Sequence, residues 1–169
     1  MATLPRDISA VSVLWRPMHE TDLASVAALE AQIHAAPWTI GNFRDALVAG
    51  YAARVGERDG HIVAYGVLML GPGEAQILNQ SVVPAARRQG IGRELLRYFV
   101  DDARWLHAGQ IFLEVRASNV AAIALYDTEG FRPVARRLGY YPGVGVDAPR
   151  EDALVMRRAL RDRAPSPAR

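Results

Sequence analysis

Residues 87–99 read Arg-Arg-Gln-Gly-Ile-Gly-Arg-Glu-Leu-Leu-Arg-Tyr-Phe, and this stretch says most about the fold. It follows a strand-like run, 77–83, and leads into a run with helical apolar spacing. Two glycines therefore stand at the start of a helix, where backbone N–H groups lack helical partners and the helix dipole is positive. Because glycine has no Cβ, the pattern predicts a site for a phosphorylated ligand. The apolar helix positions are Leu95, Leu96, Phe99, Ala103 and Leu106.

Two common phosphate-binding motifs do not fit this turn. A P-loop needs a lysine and a hydroxyl residue after its second glycine, and the chain contains no lysine. A dinucleotide-binding fingerprint needs glycine or alanine three residues after Gly92, where Leu95 stands. By itself, Gly-x-Gly before a helix is also typical of a simple tight turn.

A second stretch, 113–126, reads Leu-Glu-Val-Arg-Ala-Ser-Asn-Val-Ala-Ala-Ile-Ala-Leu-Tyr and is followed by Gly130-Phe131. With the Arg/Gln-x-x-Gly-x-Gly/Ala form of the turn, it resembles the GCN5-related N-acetyltransferases (GNAT). Within them it is similar to the RimI branch, the ribosomal-protein-alanine acetyltransferases. The resemblance extends from about Val13 to Met156. The chain departs from it at Asn79-Gln80-Ser81-Val82, where relatives commonly read Asn-Ile-Ala-Val, and by an extra residue between Arg137 and Tyr140.

The resemblance implies an α/β (α+β) GNAT fold, a mixed and mostly antiparallel sheet flanked by helices. It implies acetyl-coenzyme A (acetyl-CoA) as cosubstrate and no metal. Glu114 is then the general base and Tyr126 the general acid, while Asn119 hydrogen-bonds the cofactor. The other implied cofactor residues are the backbone of Gln80, Ser81 and Val82, which pairs with the pantetheine arm, and the turn of Arg88, Gln89, Gly90, Ile91, Gly92 and Arg93. Tyr140 and Tyr141 open a loop over the peptide acceptor.

The same residues also have interpretations without a site. By the two-residue period of a strand, Glu114 lies on the face of Arg116, so the two can form a solvated ion pair. Tyr126 shares a helical face with apolar neighbours and can be a core tyrosine. Asn119 fits a helix N-cap, a role compatible with cofactor binding, and Tyr140 and Tyr141 fit packing or turn positions.

Composition narrows the class of protein. The chain has 169 residues, of which 50% are hydrophobic, and this suits a single domain. The domain is predicted over 1–160, followed by a disordered basic tail over 161–169. No cysteine and no membrane-length apolar run favour a cytoplasmic protein, and the four scattered histidines predict no metal site. The last thirteen residues hold five arginines and one acid, so the body is mildly acidic. Direct nucleic-acid binding is therefore not expected.

The coarse pattern predicts a mixed order of helices and strands. Thr21 or Asp22 is expected to cap the first helix and Thr39 the second, and Asp59-Gly60 is a hairpin turn. The predicted strands are 11–15, 51–57, 62–70, 75–83, 111–116, 131–140 and 153–158. The predicted helices run to about His34, through Val48, from Gly92 to near Gly109, and over 119–129.

The resemblance implies an acetyl-CoA-dependent Nα-acetyltransferase, acting by direct attack of the amine on the thioester. Its implied acceptor is a protein N-terminus, that of ribosomal protein bS18 with its alanine. Three alternatives stay open: acetylation of lysine side chains or small amines, a non-catalytic coenzyme A-binding module, and, more remotely, a nucleic-acid-binding protein. The presence of both Glu114 and Tyr126 argues against the silent module.

Overall fold

The sheet grows from a turn that the sequence specifies. Asp59 and Gly60 adopt φ of 52° and 74°, the left-handed pair that a two-residue hairpin requires. This turn joins two of the seven strands in the computed structural model, which describes residues 12–160. The elements in chain order are β1 (Leu14–Pro17), α1 (Leu23–Ile33), α2 (Ile40–Val48), β2 (Ala52–Arg58), β3 (His61–Gly71), β4 (Glu74–Val82), α3 (Ile91–Trp105), β5 (Gln110–Arg116), α4 (Val120–Thr128), β6 (Arg132–Tyr141) and β7 (Glu151–Ala159).

The strands lie in the order β1-β2-β3-β4-β5-β7-β6. Every neighbouring pair is antiparallel except β4 and β5, which run parallel because α3 crosses between them. This confirms the predicted mixed, mostly antiparallel sheet flanked by helices. The predicted Thr39 cap of α2 is confirmed, since Thr39 Oγ1 accepts a hydrogen bond from the backbone N–H of Asn42 at 3.2 Å.

Helices cover both faces of the sheet, and Gly66 in β3 shows how closely. A Cβ at Gly66 would lie 2.8 Å from the Phe99 ring of α3 and 2.7 Å from the Asn79 carbonyl oxygen, so only glycine fits. The neighbouring Tyr65 faces the other side and packs with Phe43 of α2. Residues of α3 and α4 thus form one buried cluster and residues of α1 and α2 a second.

The prediction for α3 was wrong at both ends. The helix begins at Ile91, within the glycine turn, because Gly90 with φ of 82° is its N-cap. It ends at Trp105, where His107 adopts φ of 60° and the Ala108 N–H bonds the Ala103 carbonyl at 2.9 Å. Such a left-handed stop satisfies the last carbonyl groups of a helix. Leu106, the last apolar position of the predicted helix, therefore lies beyond the helix end and is 55% exposed.

The first strand begins at Leu14 and extends to Pro17, later than predicted. The predicted strand residue Val11 and the predicted tail, 161–169, lie outside the described residues. Within 12–160, none of the helices combines the length and the apolar character needed to cross a membrane.

Candidate active site

The site lies where β4 and β5 separate. Their parallel pairing runs from Glu74 opposite Gln110 to Ile77 opposite Leu113 and then stops. At that point Leu78 bulges, since the register of β3 with β4 passes from Leu68–Ile77 to Val67–Asn79. Beyond the bulge β4 still pairs with β3, but no other strand of residues 12–160 pairs with its opposite edge. The described structure therefore has one unpaired strand edge inside a cleft.

Two cavities meet in this cleft. The larger, about 710 Å³, lies over the start of α3 and along α4, and the smaller, about 230 Å³, lies between β5, β4 and the end of α1. The smaller cavity contains Glu114 and Tyr141, and the larger contains Gly90 and Gly92. Five residues line both and define the junction: His34, Gln80, Ser81, Asn119 and Tyr126.

The glycine turn presents its backbone to the larger cavity. Arg88 and Gly90 both adopt positive φ, 64° and 82°, and apart from the adjacent residues no atom of 12–160 lies within 4 Å of where a Gly90 Cβ would stand. Arg87, Arg88 and Arg93 also line this cavity. Cationic side chains here add to the positive end of the α3 dipole, which makes the end of the cavity suited to an anion.

Two predicted turn residues do not present their side chains to the cavity. The Gln89 side chain accepts a hydrogen bond from Arg58 Nη1 at 2.7 Å, on the outside of the turn. Ile91 is 3% exposed and packs with Ala64 and Ala86. Any contact of these two with a ligand would therefore be made by the main chain.

Glu114 faces the smaller cavity, but its charged partner is not the predicted one. Arg137 Nε of β6 lies 2.9 Å from Glu114 Oε1. Arg116 instead bonds Glu151 Oε2 of β7 at 3.1 Å and the Pro142 carbonyl oxygen. The solvated Glu114–Arg116 pair is thus wrong, because other strands supply the partners of both groups, β6 for Glu114 and β7 for Arg116. The Glu114 side chain is 14% exposed, so its carboxylate is reachable from the cavity without being freely hydrated.

Tyr126 stands at the junction of the cavities. It is largely buried, and its ring packs against Phe131 with centroids 6.0 Å apart. Burial, with a smaller contribution from Tyr141, raises the pKa of Tyr126 to about 12. The phenol therefore keeps its proton throughout the physiological range and can act there as a hydrogen-bond donor.

Asn119 is the N-cap of α4. Its Oδ1 accepts a hydrogen bond from the Ala122 N–H at 3.2 Å, and the same side chain lines both cavities. The helix cap is confirmed, whereas its contact with a cofactor stays a prediction.

The two neighbouring tyrosines end β6 instead of opening a loop. Five residues of β6, from Arg137 to Tyr141, oppose only three of β7, from Glu151 to Ala153, so the strand bulges where the sequence has its extra residue. Tyr141 lines the smaller cavity, with the Arg116 guanidinium 4.5 Å from its ring centroid. The hydrogen bond of Tyr140 to Glu114 raises the pKa of the Tyr140 phenol. The bulge thus brings both tyrosines to the acidic side of the site.

Sequence reasoning missed Glu30 of α1 and His34, the residue that caps the end of α1. Glu30 is 2% exposed, and its carboxylate accepts hydrogen bonds from Tyr65 Oη at 2.7 Å, Asn79 Nδ2 at 3.2 Å and the Trp38 N–H at 3.1 Å. One turn later, His34 Nε2 lies 2.7 Å from Ser81 Oγ at the junction. The available signal was a single acid within the otherwise apolar stripe of α1.

The part of the chain that the structure describes offers no set of side chains for binding a metal ion. Residues 12–160 contain no group of three or more His, Cys, Asp or Glu side chains placed to bind a metal ion.

The two parallel strands that separate and the glycine turn beside them lie within the range of residues that a family model matches. The model of the acetyltransferase (GNAT) family matches residues 15–131. The chain belongs to this family, as the resemblance predicted.

Individual relatives narrow the branch. The chain is 35% identical over 139 residues to the [ribosomal protein bS18]-alanine N-acetyltransferase of Escherichia coli K12, which covers 82% of this chain and 92% of the relative. It is 40% identical over 134 residues to the N-alpha-acetyltransferase RimI of Mycobacterium tuberculosis. This match covers 75% of this chain and 83% of the relative. The crystal structure of the Escherichia coli ribosomal-protein-S18-alanine N-acetyltransferase superposes with a TM-score of 0.82 at 32% identity, covering 91% and 97%. The predicted RimI-type resemblance is confirmed.

Proposed function

We propose that this chain is an acetyl-CoA-dependent Nα-acetyltransferase whose acceptor is a protein N-terminus, that of ribosomal protein bS18 beginning with alanine. The observation that carries the proposal is the junction of the two cavities. There Tyr126 stands between an anion-suited turn on one side and the Glu114 carboxylate on the other. The family and the named activity of the relatives support the same assignment.

The larger cavity suits coenzyme A in shape and charge. Gly90 leaves its backbone open for a pyrophosphate, and arginines stand beside it. The unpaired edge of β4 offers main-chain groups to an extended amide chain such as pantetheine. Gln80 Oε1 is buried, and no group of residues 12–160 hydrogen-bonds it, although Gln80 lines both cavities. A buried acceptor of this kind gains stability when a ligand N–H reaches it.

Acetyl-CoA supplies the acetyl group as a thioester. Residues of this chain accept the proton of the amine and stabilise the leaving thiolate. Glu114 takes the proton of the acceptor ammonium, directly or through a water, so that the free amine can form the new C–N bond. As the C–S bond breaks, Tyr126 donates a hydrogen bond to the sulfur, and the second proton that the nitrogen loses on becoming an amide is released to solvent. Because a thiol has a reference pKa of about 8.5, complete transfer from a phenol of pKa about 12 is uphill. Tyr126 therefore acts chiefly by stabilising the departing thiolate.

Replacing Tyr126 by Phe should lower kcat by about 10- to 100-fold, the loss of a hydrogen bond to a charged group. The phenyl ring keeps the packing on Phe131, so the free energy of unfolding should change little. Steady-state kinetics and thermal unfolding of the same preparations check this. A variant that loses stability but keeps kcat would make Tyr126 a core residue only.

The acidic lining of the smaller cavity suits a cationic amine acceptor. Glu30 and Glu114 both line this cavity. An α-amine can also be deprotonated by a weaker base than a lysine side chain requires, because its ammonium is the stronger acid. Their reference pKa values, about 7.7–8.0 and about 10.4, differ by roughly 2.5 units, or ~3.4 kcal/mol at neutral pH.

A peptide pair tests the acceptor. One peptide begins with Ala-Arg, and its partner has the same sequence with a blocked N-terminus and an internal lysine. At equal concentration with acetyl-CoA, the free α-amine should be acetylated at least about tenfold faster, given the pKa gap. Mass spectrometry locates the acetyl group. Faster labelling of the blocked peptide would favour the lysine alternative. Cofactor binding without thiol release from any peptide or small amine would favour the silent module.

The remaining parts of the proposal follow from this activity. A reaction that consumes acetyl-CoA and modifies a ribosomal protein belongs in the cytoplasm, where both substrates occur. We also propose that one acetyltransferase domain spans residues 1–160, since the clusters of 12–160 share a single sheet.

A further inference from the structure

The unpaired half of β4 is held from both faces by side chains. Residues 79–82 keep only the β3 pairing, because β5 has already diverged at Ile77. A strand with one free edge depends on such side-chain contacts to stay in place, since it lacks half of its ladder hydrogen bonds. Asn79, Gln80 and Ser81 make these contacts.

On the first face, α1 meets β4 through a matched spacing. Glu30 and His34 lie one helical turn apart, and they bond Asn79 and Ser81, which lie two residues apart on one face of the strand. Glu30 is fixed in turn by Tyr65 and by the Trp38 N–H. Tyr65 has a raised pKa because of its burial and its bond to Glu30, so it remains a donor. The His34 ring is thereby set at the junction.

On the opposite face, Gln80 bonds the first turn of α3. Its Nε2 donates to the Gly92 carbonyl oxygen at 2.9 Å, whereas Oε1 is buried and has no hydrogen-bond partner within the part of the chain that the structure describes. Gln80 thus connects the free strand edge to the glycine turn, the two parts proposed to hold the pantetheine arm and the pyrophosphate.

We propose that His34 and Gln80 are positioning residues, which hold the free edge of β4 at the spacing that acetyl-CoA requires. The inference rests on the proposed function, because it concerns how the same cofactor is held. Both side chains act through Ser81 and Gly92 on the strand and on the turn. Loss of either side chain should therefore raise the Kd for acetyl-CoA more than it lowers kcat, the rate of the reaction in the bound complex.

A graded set of His34 variants tests the inference. His34→Ala should raise the Kd and the KM for acetyl-CoA about tenfold, the loss of one well-placed hydrogen bond, with a smaller change in kcat. His34→Gln should recover most of the affinity, because a glutamine amide reaches the position of the imidazole Nε2. His34→Asn, which reaches only the Nδ1 position, should not recover it. Gln80→Leu, similar in size, should match His34→Ala.

Val55→Ala is the stability control. Val55 of β2 is fully buried in the cluster with α1 and α2 and lines neither cavity, so this variant should lower Tm without changing the Kd measured by calorimetry. A Kd that follows Tm across all these variants, or an unchanged Kd in His34→Ala, would overturn the positioning role while the wild type still binds and transfers. A wild-type chain that does not bind acetyl-CoA would instead overturn the proposed function, and the inference with it.

Discussion

Replacing Glu114 by Gln is expected to lower kcat about 10²- to 10⁴-fold, the usual contribution of a general base. The amide keeps the shape of the side chain but cannot accept the proton of the acceptor ammonium. The Kd for acetyl-CoA should stay close to that of the wild type, since Glu114 lines the smaller cavity and not the larger one. Single-turnover rates and calorimetry on the same protein separate the two quantities.

The pH dependence of this variant gives a second readout. Without a base, the reaction relies on amine that is already neutral in solution. Its rate should therefore rise with pH through the acceptor's own pKa, about 7.7–8.0 for an α-amine, and level off above it. The ratio of wild-type to variant kcat/KM should shrink accordingly from pH 6.5 to pH 9.

Arg137→Gln is the matched control, because it breaks the same 2.9 Å ion pair and leaves the carboxylate in place. Arg137 is 55% exposed, so the pair contributes little to stability and the variant should stay within about tenfold of the wild-type rate. An equal, large loss in both variants would mean that the ion pair, and not the base, matters. A Glu114→Gln enzyme with the wild-type rate at pH 7 would remove the base assignment altogether.

Local chemistry made much of the fold predictable. The Asp59-Gly60 turn needs left-handed residues, the Thr39 cap needs a side-chain oxygen, and the alternation along β5 needs only its period of two. Each of these signals lies within a few residues of its effect. The same is true of Asn119, whose cap position follows from the sequence of α4.

The surroundings of the site were not predictable in this way, because they depend on contacts between distant segments. The Glu114–Arg137 pair joins β5 to β6, and the Ser81–His34 bond joins β4 to α1. β4 separates from β5 at the bulge of Leu78. No residue type in that strand predicts the bulge. The residues proposed to perform the chemistry were named from the family motif, and their neighbours came from the tertiary structure.

Gly90→Asp should raise the Kd for acetyl-CoA at least about 100-fold, to the point where calorimetry detects no binding. The carboxylate would stand at the N-terminus of α3, where the proposed pyrophosphate needs the backbone N–H groups and the positive dipole. Space is not the obstacle to folding, since apart from the adjacent residues no atom of 12–160 lies within 4 Å of the Gly90 Cβ position. The φ of 82° costs an L-residue about 1–2 kcal/mol, and Asp is among the residues that tolerate it best.

Gly90→Asn separates charge from backbone strain, because Asn has the shape of Asp and an equal tolerance of left-handed φ. The dipole of α3 favours a carboxylate at its N-terminus, so the Asp variant without ligand should be at least as stable as the Asn variant. Only the Asp variant adds a negative charge, so it alone should lose cofactor binding, while Asn should keep affinity within about tenfold of the wild type. Equal losses in both would assign the effect to strain. Wild-type affinity in a folded Asp variant would mean that the pyrophosphate binds elsewhere.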